Sequence, residues 1–251
     1  WNNLTGDFGF SNGARTLSGS GTATVRTWYD AANIVQRPSP ATPDQKLMFG
    51  YLNNSSPALN SGTSLYSGQN QPFFALADLP AALTLGGYKV VVYADTDQTT
   101  DRIGEYWLTT VSADPSNVSG TTDLTPHLFL KDTANTNFTN TYTRVPAASL
   151  TSSAAVAGNY LVFENQTQPG FILRTEDFFS GSGSRAPING VQVVRNELLV
   201  VTTPADENDP VGTPGTGLSL REAVALAPDG AGIVFDSALS GQTITLGSEI
   251  P

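Results

Sequence analysis

The sequence predicts an all-β protein, and three observations carry that expectation. Short runs of β-branched and aromatic residues recur from Ala23 to Val194, separated by clusters of Gly, Pro, Asn and Ser. Several of these runs alternate with a period of two, the pitch at which side chains switch faces along a strand. Convincing helix signals are nearly absent before residue 215. Eight or nine such strands in about 195 residues fit a two-sheet jelly-roll β-sandwich. That module is assigned residues 1–196, and a second segment of different composition is assigned residues 197–251.

The expected strands begin with 23–29 (A-T-V-R-T-W-Y), 46–52 (K-L-M-F-G-Y-L) and 72–77 (P-F-F-A-L-A). In the next, 88–94, Tyr88, Val90 and Val92 share one face, while Lys89, Val91 and Tyr93 share the other. Both faces are apolar apart from the lysine, which predicts a central strand buried on both sides. Strands over 105–111, 128–131, 159–164, 170–175 and 188–194 complete the set. Polar loops over 95–104, 113–126 and 180–187 lie between them, and loops of that length in a compact domain are functional or mobile.

The second segment opens with a strand over 198–203 and a turn-rich stretch over 206–217. Ser219 then has the chemistry of an N-cap, and Glu222 three residues later completes a capping box in which each end satisfies the other's amide. Leu220, Ala223, Val224 and Ala227 line one face of the helix, and P-D-G at 228–230 stops it. Two short strands are expected after it, G-I-V-F-D from Gly232 and Q-T-I-T-L from Gln242.

Composition excludes several classes of function. Twelve basic against 22 acidic residues give a net charge of −10, which argues against a nucleic-acid binder that must neutralise phosphates. The longest apolar runs are far shorter than the roughly 20 residues of a membrane helix, so no span is expected in this fragment. With no cysteine there is no disulfide, zinc-thiolate site or thiol nucleophile. Only 14% of residues are charged, so 30 threonines and 24 glycines must supply much of the surface. Such faces suit exported β-proteins, which points to an extracellular or cell-surface location. The start at Trp1 rather than methionine reads as a piece processed or excised from a longer chain.

The block V-T-T-P-A-D-E-N-D, G-T-G-L-S-L-R-E-A-V-A-L-A and G-I-V-F-D-S-A-L-S-G-Q-T-I-T-L resembles the CSLREA-type segment. That segment opens right-handed parallel β-helices in large bacterial surface proteins, including polymorphic outer-membrane-protein-like adhesins. The likeness departs at Leu218, where the family usually has cysteine. It implies that the helix caps a solenoid and that the following strands begin its first coil. The residues before it resemble galactose-binding-like jelly-roll modules, through W-N-N-L-T-G at Trp1, Y-K-V-V-V-Y-A-D at Tyr88 and I-N-G-V-Q-V-V at Ile188. The full expectation is a jelly-roll β-sandwich followed by the N-terminal cap and first coil of a parallel β-helix, with one short capping helix.

For chemistry, Asp95, Asp97 and Asp101 alternate in a loop just after a buried strand. Such carboxylates can converge on calcium, which takes six to eight oxygens. The alternative is a solvated loop whose aspartates cap their own turns. The galactose-binding-like resemblance implies a structural Ca2+ at such a loop, and no other cofactor is required. Glu105, Glu164, Glu176 and Asp177 offer carboxyl pairs of the kind glycosidases use, but any β-protein with 22 acids does so. His127, the single histidine, reads as an edge residue at a strand start, and no G-x-S-x-G elbow is present. No catalytic residue is assigned, and no enzyme is expected. Trp28, Tyr29, Tyr106 and Trp107 are the candidate ligand-binding residues, because aromatic rings stack on sugar faces; Tyr51 and Tyr66 offer further rings. Adjacent residues on a strand point to opposite faces, so at most one of each pair is expected in the core.

These residues point first to a non-catalytic extracellular module of a large bacterial surface protein that binds glycans or supports adhesion. A structural subunit of a fibre or sheath, self-assembling with neighbouring subunits through β-edges, is the alternative. A third is an accessory domain of a polysaccharide-active β-helix enzyme.

Overall fold

The computed structural model describes residues 13–16, 24–31, 33–36, 40, 42–53, 72–84, 87–96, 99–111, 121–177, 186–196, 198–208, 217–227 and 231–250. Over these residues the protein is mostly β. The strands are β1 (Gly13–Thr16), β2 (Thr24–Asp30), β3 (Asn33–Gln36), β4 (Gly50–Asn53), β5 (Phe73–Ala77), β6 (Tyr88–Tyr93) and β7 (Arg102–Thr109). They continue with β8 (Leu128–Asp132), β9 (Val156–Ala157), β10 (Tyr160–Gln166), β11 (Phe171–Asp177), β12 (Gly190–Arg195), β13 (Leu198–Val201) and β14 (Gly232–Phe235). The helices are α1 (Pro43–Met48), α2 (Ala81–Thr84) and α3 (Leu220–Leu226).

A seven-stranded sheet runs in the order β1-β2-β5-β11-β7-β8-β9, antiparallel except between β8 and β9. A three-stranded sheet has the order β10-β6-β12, and β3 pairs with β4. These are sandwich-like sheets; among the described residues they close no barrel and stack no solenoid. β6 is the middle strand of its sheet, and Tyr88, Val90 and Val92 are fully buried with Val91 nearly so.

Three departures from the sequence expectation have local causes. Residues 46–48 are helical rather than extended, because Thr42 caps α1. Its hydroxyl accepts from the Gln45 amide at 3.1 Å, the Gln45 side chain accepts from the Thr42 amide at 3.3 Å, and Pro43 sits at the first turn where its missing N–H costs nothing. The strand resumes only at Gly50. Second, α2 and the strands β1, β3 and β9 are too short for periodicity to reveal. Third, residues 242–246 form no strand, and among the described residues no strand pairs with them; Ile244 still packs inward.

Register and alternation give the large sheet two faces. One carries Val25, Tyr29, Phe74, Leu76, Tyr106, Leu108, Leu128, Leu130, Phe171 and Leu173, all buried. The other carries an apolar cluster of Trp28, Phe73, Ala75, Ala77 and Ile172 with Val111 against it. Further along this second face, on β11, β7 and β8, the polar Arg174, Glu176, Glu105 and Lys131 stand among the apolar Trp107, Ile103 and Phe129.

By internal contacts the chain divides into two units. The first is Trp1–Ala81, Val90–Phe163 and Gln168–Val193; the second is Ala82–Lys89, Glu164–Thr167 and Val194–Pro251. In the second, β13 and β14 pair in parallel, and Val201, Ala223 and Leu239 form a small core with Leu199, Leu218, Leu220, Ile233 and Ile244. Leu218, where the resembled segment usually has cysteine, packs on that core. The expected capping box of α3 is present: Ser219 accepts from the Glu222 amide at 3.1 Å, and Glu222 accepts from the Ser219 amide at 2.8 Å. Gly217 precedes it with φ 139°, and a Cβ there would stand 2.5 Å from the Thr202 hydroxyl.

In this unit Asp206, the first residue of the D-E-N-D run, has a structural use. Arg221 grips Asp206 with Nε at 2.8 Å and Nη2 at 2.9 Å, and the same guanidinium donates to the carbonyls of Ser248 and Glu249. Hydrogen bonds from Arg221, and then from the Gly247 amide, hold the Asp206 carboxyl below the usual carboxylate value. A depressed folded-state pKa contributes stability above the unfolded value of about 3.9 and loses it as pH falls through the lower folded value. Asp206→Asn is therefore expected to melt at a lower temperature near neutrality, yet to lose less further stability than wild type between about pH 4 and pH 2. Thermal melts followed by circular dichroism across that range check it; parallel pH profiles for the two proteins would contradict it.

Candidate functional site

The polar part of the second sheet face is built by register. Antiparallel pairing sets Arg174 on β11 opposite Trp107 on β7, and Glu176 opposite Glu105. On the other side of β7, Glu105 faces Phe129 on β8, and the same register brings Trp107 to His127 just before β8 begins. Two rows cross three strands: Arg174, Trp107 and His127, then Glu176, Glu105 and Phe129. Opposed side chains start about 4.5–5.5 Å apart at Cβ, so each row is in mutual reach.

The side chains use that proximity. The His127 ring stacks on the Trp107 indole with centroids 4.4 Å apart and planes within 12°. His127 Nδ1 lies 2.6 Å from Glu105 Oε1, and Nε2 lies 3.3 Å from Asp123 Oδ2. Asp123 is placed by the segment before β8, which runs back along β7. The Leu124 amide donates to the Leu108 carbonyl at 2.8 Å, and the Leu108 amide donates to the Thr125 hydroxyl at 3.0 Å. Arg174 donates from Nη2 to the Thr121 hydroxyl at 2.8 Å and from Nε to the Thr109 hydroxyl at 3.4 Å. Glu105 is mostly buried, with 12% of its side chain exposed, whereas His127 keeps 35% and Asp123 57%. Like charges directly opposed on a sheet are destabilising, and Glu176 stands opposite Glu105.

This arrangement offers an aromatic surface ringed by carboxylates and a guanidinium. Among the described residues the hydrogen-bond partners of His127 are both carboxylates. Strand pairing does bring together two of the four acids singled out in the sequence, Glu105 and Glu176. Asp177 is the last residue of β11, and Glu164 lies on β10.

The aromatic candidates divide sharply. Trp28, Tyr29 and Tyr106 are 4%, 5% and 0% exposed, and Tyr51 is also buried. The expectation that only one of Trp28 and Tyr29 is core is corrected, because β2 lies between β1 and β5 and both its faces are covered. Trp107 is half-buried, the one of the four with surface left to offer. His127 is no ordinary edge residue, as its stacking and two carboxylate contacts show. Tyr66 and Asp97 lie outside the described residues.

Of the remaining aspartates, Asp95 is buried and its amide donates to Asn189 Oδ1 at 2.8 Å. Asp101 is exposed, accepts from the Ala134 amide at 2.9 Å and pairs with Lys131 at 2.6 Å. These bonds, the Ala134 amide first, hold its carboxyl below the usual value. Among the described residues no three or more His, Asp or Glu side chains gather as a metal ion would need.

Sequence reasoning missed Arg174, Asp123 and the role of His127. Alternation could have placed Glu105 with Trp107, and Arg174 with Glu176, since each pair is two residues apart on one strand. It could not set β11 beside β7, which depends on long-range pairing. No helix among the described residues is long and apolar enough to cross a membrane. No protein-family model matches the chain, and no curated protein or solved structure shows significant similarity to it.

Proposed function

We propose that the chain is a non-catalytic extracellular module of a large bacterial surface protein, binding glycans through the Trp107 face or supporting adhesion there. The architecture that goes with this reading is a jelly roll followed by the entry of a parallel β-helix. The observation that carries it is the half-buried Trp107, with Glu105 and Arg174 set beside its indole on the same sheet face. A sugar offers C–H faces to an aromatic ring and fixed hydroxyls to short-range acceptors and donors, and this surface supplies both. The mostly-β sheets and the hydroxyl-rich, weakly charged composition are consistent with export.

A glycan array and polysaccharide pull-downs, each with and without calcium, test it. Wild type is expected to bind a defined group of glycans, and Trp107→Ala to lose about two- to tenfold in affinity, the worth of one stacked aromatic contact. An array blank under both conditions counts against the reading.

A second reading has its own observation. In the second unit Phe235, Leu226, Leu246 and Val200 are 53%, 47%, 42% and 40% exposed, and β13–β14 is a parallel pair of only two strands. Exposed apolar side chains beside an open strand edge suit a subunit that stacks on its neighbours. Sedimentation velocity over a wide concentration range separates the two, since the fibre reading requires growing species and the module reading requires none.

A further inference from the structure

We propose that His127 is a proton-controlled cover on the Trp107 face, so that the site is closed in acid and opens as pH rises. The inference rests on the glycan-binding reading of that face and adds its regulation. A sugar stacking on Trp107 competes with the imidazole, which lies 4.4 Å from the indole and nearly parallel to it. What keeps the ring there is the pair of carboxylates at its two nitrogens, Glu105 at Nδ1 and Asp123 at Nε2.

Protonation decides how well that hold works. An imidazolium donates from both nitrogens and satisfies both carboxylates. A neutral imidazole donates from only one, leaving a lone pair turned toward the other carboxylate. The surrounding charges reinforce this direction. Glu105 comes from β7, Glu176 and Arg174 from β11, and Asp123 from the segment before β8. Lys131 on β8 is taken up by Asp101. Among the described residues the cluster holds three carboxylates, Glu105, Glu176 and Asp123, and one guanidinium, Arg174, so a positive ring is retained and a neutral one is released. Asp123 is the more exposed and the longer of the two contacts, and it is the one that gives way.

The test needs no ligand in its first arm. The chain has three tryptophans, and subtracting Trp107→Phe from wild type isolates the emission of Trp107. Trp107 is expected to become about threefold more accessible to acrylamide between about pH 5 and pH 8, the interval in which histidine changes charge. His127→Gln is expected to show the open value throughout. The single histidine also gives one assignable imidazole resonance, so wild type alone can show whether ring titration and the Trp107 indole shift together.

In the second arm, glycan arrays compare wild type and His127→Gln at both pH values. A ring that covers Trp107 for nine-tenths of the time in acid weakens apparent affinity about tenfold, and His127→Gln should recover that factor at pH 5. Matching acrylamide profiles for the two proteins overturn the cover whether or not any glycan binds. A pH-dependent Trp107 with no gain for His127→Gln at pH 5 on glycans that wild type binds at pH 8 overturns it too. Arrays blank for both proteins at pH 8 sink the glycan reading itself, and the acrylamide arm then decides the cover alone.

Discussion

Tyr106→Ala is expected to destabilise the protein by about 4 kcal/mol, while leaving no specific defect in ligand binding that its loss of folding does not explain. Tyr106 is fully buried at the middle of β7. Its ring lies over Gly104, where a Cβ would stand 2.7 Å from the ring carbon Cε2 and 2.8 Å from the hydroxyl oxygen. The hydroxyl donates to the Pro187 carbonyl at 3.0 Å, and burial together with nearby Asp132 pushes its pKa well up. Truncation opens a ring-sized cavity against packed neighbours and orphans that carbonyl. Tyr106→Phe keeps the ring and loses only the hydrogen bond, so it should cost about 1 kcal/mol. Trp107→Ala, one residue along and half-buried, should cost less than Tyr106→Ala and act on binding instead. Urea melts of the three variants give the ranking. A Tyr106→Ala protein as stable as wild type would move Tyr106 out of the core.

That contrast between neighbours shows what the sequence could and could not reveal. The strands themselves were legible wherever β-branched and aromatic residues alternate, as in β6, β7, β10 and β11. The cap of α3 was legible too, because S-L-R-E specifies it locally. The α1 cap was written in T-P-D-Q just as plainly, but the apolar run K-L-M-F that follows reads as a strand when taken alone. Alternation also placed Tyr106 and Trp107 on opposite faces. It failed for Trp28 and Tyr29, since burial of both depends on what covers each face of β2. The site lay further out of reach. Arg174, Trp107 and His127 are drawn from segments far apart in the chain, and only the pairing of β11 with β7 and β8 makes them a row. A hydrophobic period fixes the face of a residue; it carries nothing about which strand will be its neighbour.

On its other side β11 pairs with β5, and Gly170 is where that pairing is open to test. Gly170 immediately precedes β11, whose first register pair sets Phe171 opposite Leu76 on β5. A Cβ at Gly170 would lie 2.4 Å from the Leu76 carbonyl oxygen, 2.9 Å from the Ala77 Cα and 2.9 Å from Val111 Cγ1. Two of these three are backbone atoms, which cannot rotate away as a side-chain tip can. They belong to the neighbouring strand, and the Leu79 amide is bonded to the Pro169 carbonyl at 2.8 Å beside them. Alanine must therefore push the start of β11 off β5. Overpacking of this kind costs about 3 kcal/mol, and at about 2–4 °C per kcal/mol for a chain of this size the melting temperature should fall by about 6–12 °C. Gly50→Ala is the matched control. It also lies at a strand start, but its nearest neighbour would be the Val35 carbonyl at 3.8 Å, an ordinary contact, so its stability should stay within about 0.5 kcal/mol of wild type. Because β11 carries Arg174 into the Trp107 row and Glu176 into the row beside it, Gly170→Ala should weaken glycan binding even at temperatures where it is folded, whereas Gly50→Ala should bind as wild type does. A Gly170→Ala protein with an unchanged melting temperature would mean that β11 and β5 are not held in this register.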